Sequence, residues 1–368
     1  MLRIRREYLP AAIEIGYNSL KLLQLGKFKS SYKIVKADYL ALDSDKSATP
    51  SNLKESLKKL VKKNQLKGEV VTSVPLNKMN INTYVLPDMP ANEIEAALFW
   101  KIKQNLTPDV SFEDIFFDYV WSSPQKNEDK KNYALVFTIA KKIILDLTKL
   151  YKELSLNLVS VEPQPYAIIE GLSLIENISK EETVLVLQLG ANNSSVAVVS
   201  SGCPYLIMPL NVSGNGFTEA LVSYYQFDWE KAEAFKLKEG LGELQLKEAQ
   251  NSNEAGCFPA LSSQLENLII DIEDAFKYFS GQLIKFKAPV IDRLILCGGA
   301  AALINLDKFL SSKLNLPVSV FDPGDFMVAH SEDKVRPMVR DHSLAFASAL
   351  GLATKFINGG LGIEIKAS

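Results

Sequence analysis

Histidine and cysteine are scarce in this sequence. Two histidines and three cysteines are spread over 368 residues, and Cys203, Cys257 and Cys297 form no Cys-x-x-Cys pair. A structural zinc site needs such ligands at close spacing and a disulfide framework needs paired cysteines, so neither organises this fold; the chain suits a reducing compartment. Surplus charge is missing too. Lys and Arg total 41 against 43 Asp and Glu, a formal net charge of −2, which argues against nucleic acid as the main partner. No run approaches the roughly 18 uninterrupted apolar residues that cross a membrane. The basic stretch "MLRIRREYLPAAIEIG" leads straight into a strand pattern, so no signal peptide is expected. These absences describe a cytoplasmic protein that reaches a membrane only through a partner.

What is present is a repeat. With 47% hydrophobic and 23% charged residues, the chain can bury a sizeable core and divide into two or more domains. "AAIEIGYNSLKLLQLGKFKSSYKIVKADYLAL" (11–42) and "VLVLQLGANNSSVAVVSSGCPYLIMPLNV" (184–212) share one order: apolar strand, small turn at Gly16 or Gly190, strand, turn at Gly26 or Gly202, third strand. Two copies of one supersecondary unit predict a duplicated α/β domain. After the first copy, Leu53, Leu57, Leu60 and Val61 at helical spacing predict a helix starting at Pro50-Ser51 and stopped by Gly68, then a buried strand, "EVVTSVP". An insertion from about Val85 to Leu156 follows: a helix capped near Asn92, two strands around a polar loop at 125–132, and a second helix, "KKIILDLTKLYKELSLN". After the second copy come two helical regions around a polar loop at 245–256. A strand ending at Gly298-Gly299 then opens a helix, a further strand follows, and the last apolar helix is "HSLAFASALGLATKFI", with the short tail "GGLGIEIKAS".

The stretch "VLVLQLGANNSSVAVVSSG" places a bend of small and polar residues between buried strands. It reads either as a hairpin tip or as a loop whose backbone N–H groups, left open by missing or short side chains, grip phosphate. "CGGAAAL" puts two glycines at a strand end, where a helix terminus and close backbone approach suit a nucleotide; a tight turn explains the pair equally well. Glu233 and Lys236, at i and i+3, read as a solvated helix pair, and Lys21 as a strand residue in solvent. His330 and His342 have no ligand-like companions. Trp100, Trp121 and Trp229 read as packing residues.

Taken in order, "IEIGYNSLK", "VLQLGANNSSVAVV", "VEPQPYAI", "AEAFK", "LILCGGAAAL" and "SALGLA" resemble the phosphate loops, connecting helices, A-E-x-x-K helix and adenosine loop of the actin-like ATPase superfamily. Within it the chain resembles the FtsA/PilM branch, and the type IV pilus assembly PilM family in particular. The resemblance implies an α/β, actin-like (ribonuclease H-like) pair of duplicated domains with an FtsA/PilM-type inserted subdomain. Subdomain 1A would comprise 1–84 and 157–182 with the C-terminal helix 343–368; 1C, 85–156; 2A, 183–215 and 289–342; 2B, 216–288. It implies ATP and Mg2+, with the nucleotide at Gly16, Asn18, Ser19, Lys21, Gly190, Asn192, Asn193, Ser194, Gly214, Glu233, Lys236, Gly298, Gly299 and Ala300. The metal would sit at Glu14, and Glu162 and Gln188 would take the catalytic positions. Ser213-Gly214 stand for the family's paired glycines and Thr218 for its threonine.

The family has Asp where this chain has Glu14 and Gln188. Glutamine cannot act as a base or neutralise a cation, so the resemblance implies ATP binding with slow or absent turnover. It further implies a place peripheral to the inner membrane, where a groove beside the insertion holds the short cytoplasmic peptide of a PilN-like single-pass membrane protein; self-association stays open. Two other readings share the fold: a nucleotide-free interaction platform, and a small-molecule kinase, whose aspartate base and larger substrate insertions are not found here. The tail lacks the amphipathic membrane-targeting helix of FtsA.

Overall fold

The computed structural model describes residues 7–28, 31–42, 50–122, 131–176, 178–179, 181–242, 256–283, 290–358 and 363–364. The first half begins with β1 (Glu7–Tyr8), β2 (Ala11–Ile15), β3 (Ser19–Phe28), β4 (Ser31–Ala41), α1 (Pro50–Lys63) and β5 (Gly68–Val74). The insertion contributes β6 (Asn80–Pro87), α2 (Ala91–Asn105), β7 (Ile115–Ser122) and β8 (Lys131–Ala140), and the chain returns through α3 (Lys141–Glu153), β9 (Leu156–Pro163) and α4 (Gln164–Ser173). The second half runs β10 (Thr183–Leu189), β11 (Ser194–Ser200), β12 (Cys203–Leu210), α5 (Gly214–Tyr225), α6 (Trp229–Glu239), α7 (Phe258–Tyr278), β13 (Arg293–Cys297), α8 (Leu306–Leu314), β14 (Val318–Val320), α9 (Gly324–Ala329), α10 (Arg336–Asp341), α11 (Ala347–Asn358) and β15 (Ile363–Glu364).

The repeat is visible in the strand order. The first sheet runs β1-β3-β2-β5-β9-β15 with β4 paired to β3, and the second β12-β11-β10-β13-β14. In each, an antiparallel meander (β2–β3–β4, β10–β11–β12) is followed by a strand parallel to its first member, β5 beside β2 and β13 beside β10. Both faces of each sheet are covered, which is why strands such as β10 are buried along their whole length instead of alternating. Leu57 and Leu60 of α1 with Ile144 and Tyr151 of α3 fill one side of the first sheet, and Met327, Phe346 and Leu350 fill the other.

Several local expectations are corrected. Gly26 lies within β3 opposite Lys33, not in a turn; a Cβ there would come within 2.9 Å of Val35, so packing explains the glycine. The insertion starts earlier than expected, at Asn80, because β6 is one strand of the sheet β6-β8-β7. Its second helix, α3, packs mainly into the first sheet's core, with Ile139 and Phe116 of the insertion at the border of that cluster. The helix α2 follows Pro90 with no side-chain cap, so Asn92 is not its cap. The first helical region after the repeat is two helices, α5 and α6, separated at Gln226 in the left-handed region (φ 55°). Gly298-Gly299 opens only a 3-10 turn (Gly299–Ala302), and α8 begins later, at Leu306. Trp100 is exposed, resting edge-on against Phe99, instead of packed inside. The polar loops at 125–132 and 245–256 fall largely outside the described residues.

In β8, period-two alternation joins layers: Leu135 and Phe137 pack toward the second half, Ala134 and Val136 under α2. Between the two large sheets, α4 and α11 cross with backbones in contact. A Cβ on Gly351 would collide with the Ala167 carbonyl, and one on Gly171 would lie 2.5 Å from the Ala347 carbonyl oxygen. Overpacking there has no flexible neighbour to yield. Gly351→Ala is expected to lower unfolding stability by about 3 kcal/mol in urea titrations, whereas Gly281→Ala, with nothing within 4 Å of the added carbon, should stay within about 0.5 kcal/mol.

Candidate functional site

The strands β2 and β10 run into matching bends, Glu14-Ile15-Gly16 and Gln188-Leu189-Gly190. Glu14 pairs across its hairpin with Lys21, and Gln188 with Ser195. The two bends face one another across a cleft of about 290 Å3, lined also by Gly214, Glu233, Lys236, Gly298, Gly299 and Ala300. At its mouth the Asn18 amide Nδ2 donates to Asn215 Oδ1 at 3.1 Å, joining the halves. Gly16, Asn18, Ser19, Lys21, Asn192 and Asn193 line the cleft as well.

One carboxylate dominates its floor. Lys21 Nζ (3.2 Å) and Gln164 Nε2 (3.0 Å) both donate to Glu14 Oε1, leaving Oε2 buried with no partner; Ser348 Oγ, at the start of α11, is likewise buried and unpartnered. Both residues line the cleft. Burying polar oxygens without partners is costly unless a ligand, ion or water completes them. The hairpins offer donors to match: the amides of Tyr17, Asn18, Ala191, Asn192 and Asn193 have no backbone acceptor among the described residues. Among the described residues no cluster of three or more His, Cys, Asp or Glu could hold a metal by itself. A single free carboxylate oxygen of Glu14 beside open amides fits a hydrated divalent cation such as magnesium. There the ion would supply charge neutralisation, held by Glu14.

Gln188 is committed to its own loop. Its Nε2 donates to the Asn193 carbonyl (3.2 Å) and its Oε1 accepts from Ser195 Oγ (3.3 Å). A carboxylate here would turn an acceptor toward the Asn193 carbonyl, so the amide braces the bend and has no proton-accepting role. The bend is also welded to α5: Gly214 N donates to Gly190 O (2.8 Å) and Asn215 N to Ala191 O (2.7 Å), while Ser213 Oγ caps the helix through the Gly216 amide (3.2 Å). A Cβ on Gly190 would strike the Asn193 carbonyl, and Gly298 combines φ 95° with a close approach to the Leu189 carbonyl, so glycine is required at both positions. On the far side, Lys236 Nζ donates to Gly214 O (3.0 Å), Thr218 Oγ1 (2.7 Å) and Glu233 Oε2 (2.6 Å). The pair is therefore part of the cleft wall rather than a solvated surface pair.

Two assigned residues lie elsewhere. Ser194 faces away from the cleft and holds the loop from behind, accepting from the Gly190 amide at 3.3 Å. Glu162 is still in β9 and points at α11, where it pairs with Lys355 and accepts from Ser160 Oγ (2.8 Å); it lines no part of the cleft. The residue that does reach Glu14 from this segment is Gln164, the first of α4. Its signal was present in "VEPQP", where the strand-to-helix break at Pro163 turns the next residue toward the cleft. Asn215 and Ser348 were also missed; the first sits beside Gly214 in "SGNG". Lys21 is buried instead of solvated. His342 stacks on Tyr39 (4.1 Å between ring centres).

The sequence model described as type IV pilus assembly protein PilM matches residues 12–356. The chain belongs to the PilM family. Among solved structures, a PilM–PilN type IV pilus biogenesis complex resembles it with TM-score 0.77 and 20% identity, covering 95% of this chain and 98% of that one. The ethanolamine utilization protein EutJ from Carboxydothermus hydrogenoformans follows with TM-score 0.51 and 13% identity, covering 94% and 89%. No curated protein matches the sequence. At these identities the likeness is one of fold, and this PilM-family chain has the actin-like fold. Among the described residues no helix is long and apolar enough to cross a membrane.

Burial pushes the Glu162 carboxyl up to about 7, with Lys355 and Ser160 pulling it back down. The unfolded chain ionises this group first, near its ordinary 4.5, so its contribution favours the fold below that pH and is lost as pH rises to about 7. Urea titrations across pH 4–8 should show the stability of the wild type minus that of Glu162→Gln falling over this window and flat above it.

Proposed function

We propose that this chain binds ATP with Mg2+ between its halves and serves as a nucleotide-responsive scaffold of a type IV pilus or related secretion system. The observation carrying this is the convergence on one cleft of open amides from both hairpins with the buried, unpartnered oxygens of Glu14 and Ser348. The amides at 17–18 and 191–193 would hold phosphate oxygens, Lys21 would add charge, and the Glu233–Lys236–Thr218 network would shape the nucleoside side. Gln164 and Gln188 are amides where water activation needs a base, and Glu14 Oε1 is already occupied by Lys21 and Gln164. ATP would be held with slow or absent turnover.

The scaffold reading adds a place and a partner. The chain would work at the cytoplasmic face of the inner membrane, holding the short cytoplasmic peptide of a PilN-like single-pass protein. A groove of about 1010 Å3 beside the insertion suits an extended peptide. It is lined by β6 residues including Ile81 and Tyr84, by Leu106 and Ile143, and by Pro209 and Leu210 of β12. Asn192 and Asn193 border both this groove and the cleft, so occupancy of one would bias the other.

Thermal unfolding with saturating ATP and Mg2+ tests the nucleotide claim. At about 100 times the Kd, linkage adds about 2.7 kcal/mol, a rise in Tm of roughly 3–4 °C for a protein of this size. Gly190→Val, whose side chain would displace the second bend, should abolish the rise. No shift in the wild type would favour the nucleotide-free platform.

A further inference from the structure

The lysines of this chain are unevenly placed. The helices that cover one side of the first sheet, α1 and α3, carry nine lysines against three acidic residues and no arginine, in a chain whose formal net charge is −2. Two of those three carboxylates already answer lysines of the same pair of helices: Glu55 lies 4.0 Å from Lys58, and Glu153 lies 2.6 Å from Lys54. The second contact ties α3 to α1. Leu57 and Leu60 share a core with Ile144 and Tyr151, so the solvent sides of the two helices adjoin.

Spacing puts the charge at the solvent pole. In α3 the buried stripe is Ile144 and Tyr151, and Lys142, Leu145, Lys149 and Lys152, three or four apart, stand exposed on the opposite face. On α1, Lys58, Lys59, Lys62 and Lys63 are exposed behind the buried Leu57 and Leu60. Leu145 is the anomaly, 64% exposed between Lys142 and Lys149. A face that serves solubility alone mixes both signs and has little use for a protruding leucine. Charge of one sign around an exposed apolar side chain is the pattern of a helix that lies on an anionic bilayer, where ammonium groups meet headgroup phosphates and the apolar residue enters the acyl boundary. Nucleic acid is met by arginine forks and aromatic stacking. This face has neither, since Tyr151, the one aromatic residue of the two helices, is fully buried.

We propose that the α1–α3 face is a docking surface for an anionic membrane, giving the chain a bilayer contact of its own beyond any made through a partner. The lysines supply attraction to the headgroups, and Leu145 supplies an apolar foothold. Ile143 of α3 also lines the groove beside the insertion, so a membrane-tethered peptide held there would bring this face near a bilayer. That convergence rests on the peptide reading; the charge and exposure of the face do not.

The probe is vesicles of phosphatidylcholine, with or without about 30% phosphatidylglycerol to supply anionic charge, mixed with the full chain free of nucleotide and peptide. Sedimentation should carry the protein down with the anionic vesicles at about 50 mM salt and not with the neutral ones, and about 500 mM salt should weaken the partition by roughly tenfold or more. Each lysine near such a surface is worth about fivefold. Lys142→Glu with Lys149→Glu should therefore cost roughly twentyfold or more, whereas Lys308→Glu with Lys313→Glu on α8, an equal change in net charge, should cost less than about threefold. Lys142→Gln with Lys149→Gln covers the case in which charge reversal disturbs α3, and should still cost roughly tenfold. Leu145→Ser should weaken vesicle binding by about fivefold. Absence of wild-type binding to anionic vesicles, or equal losses in the α3 and α8 variants, overturns the proposal. So does binding to a short DNA duplex that the glutamine pair removes while Leu145→Ser leaves vesicle binding unchanged, since the face would then belong to nucleic acid.

Discussion

The halves of this molecule face each other as they do because two helix backbones touch. At the crossing of α4 and α11, a single carbon added at Gly171 or Gly351 would run into the Ala347 or Ala167 carbonyl. Here the helices connect layers. Ala167 packs into the core beneath the first sheet while Ile168, Ile169 and Leu172, on the same two turns of α4, pack beneath the second. The ends of the helices then place chemistry. Gln164 at the start of α4 reaches Glu14, Ser348 at the start of α11 lines the cleft, and Lys355 further along α11 anchors β9 through Ser160 and Glu162. Change at the crossing would reach all three.

On the proposed reading, the chemistry of the cleft is that of holding rather than cutting. The wall proposed to face phosphate is backbone, which cannot be titrated and costs little reorganisation. The second bend carries an amide, Gln188, used at both ends to keep that bend in shape. What remains is one carboxylate with one open oxygen, which on that reading would serve a cation better than it would serve as a general base with its own positioned water. A long-lived bound nucleotide would suit the scaffold proposed above, and the loop at Asn192–Asn193, common to cleft and groove, is where shape could pass from one to the other.

Much of this was written in the sequence. The duplication was legible because each copy repeats two buried strands around a bend of small residues, and the cleft residues were legible because both bends must meet at the same place. Glu162 was not, since a carboxylate in the expected segment looks catalytic until the strand-to-helix break assigns it to α11 and hands the cleft to Gln164. The helix α3 looked like part of the insertion by sequence order, although its apolar face, Ile144 and Tyr151, belongs to the first sheet. A two-residue strand such as β15 leaves no periodic trace, and the helix expected at Gly298-Gly299 fails because Gly298 adopts a positive φ and the chain makes only a 3-10 turn.

The account rests on amides from both hairpins meeting one ligand. Amide hydrogen exchange with and without ATP and Mg2+ measures this at residue level. Protection should rise together at 17–18 and at 191–193, with the same dependence on ATP concentration. Protection at only one bend, or at neither while ATP is bound, would contradict it.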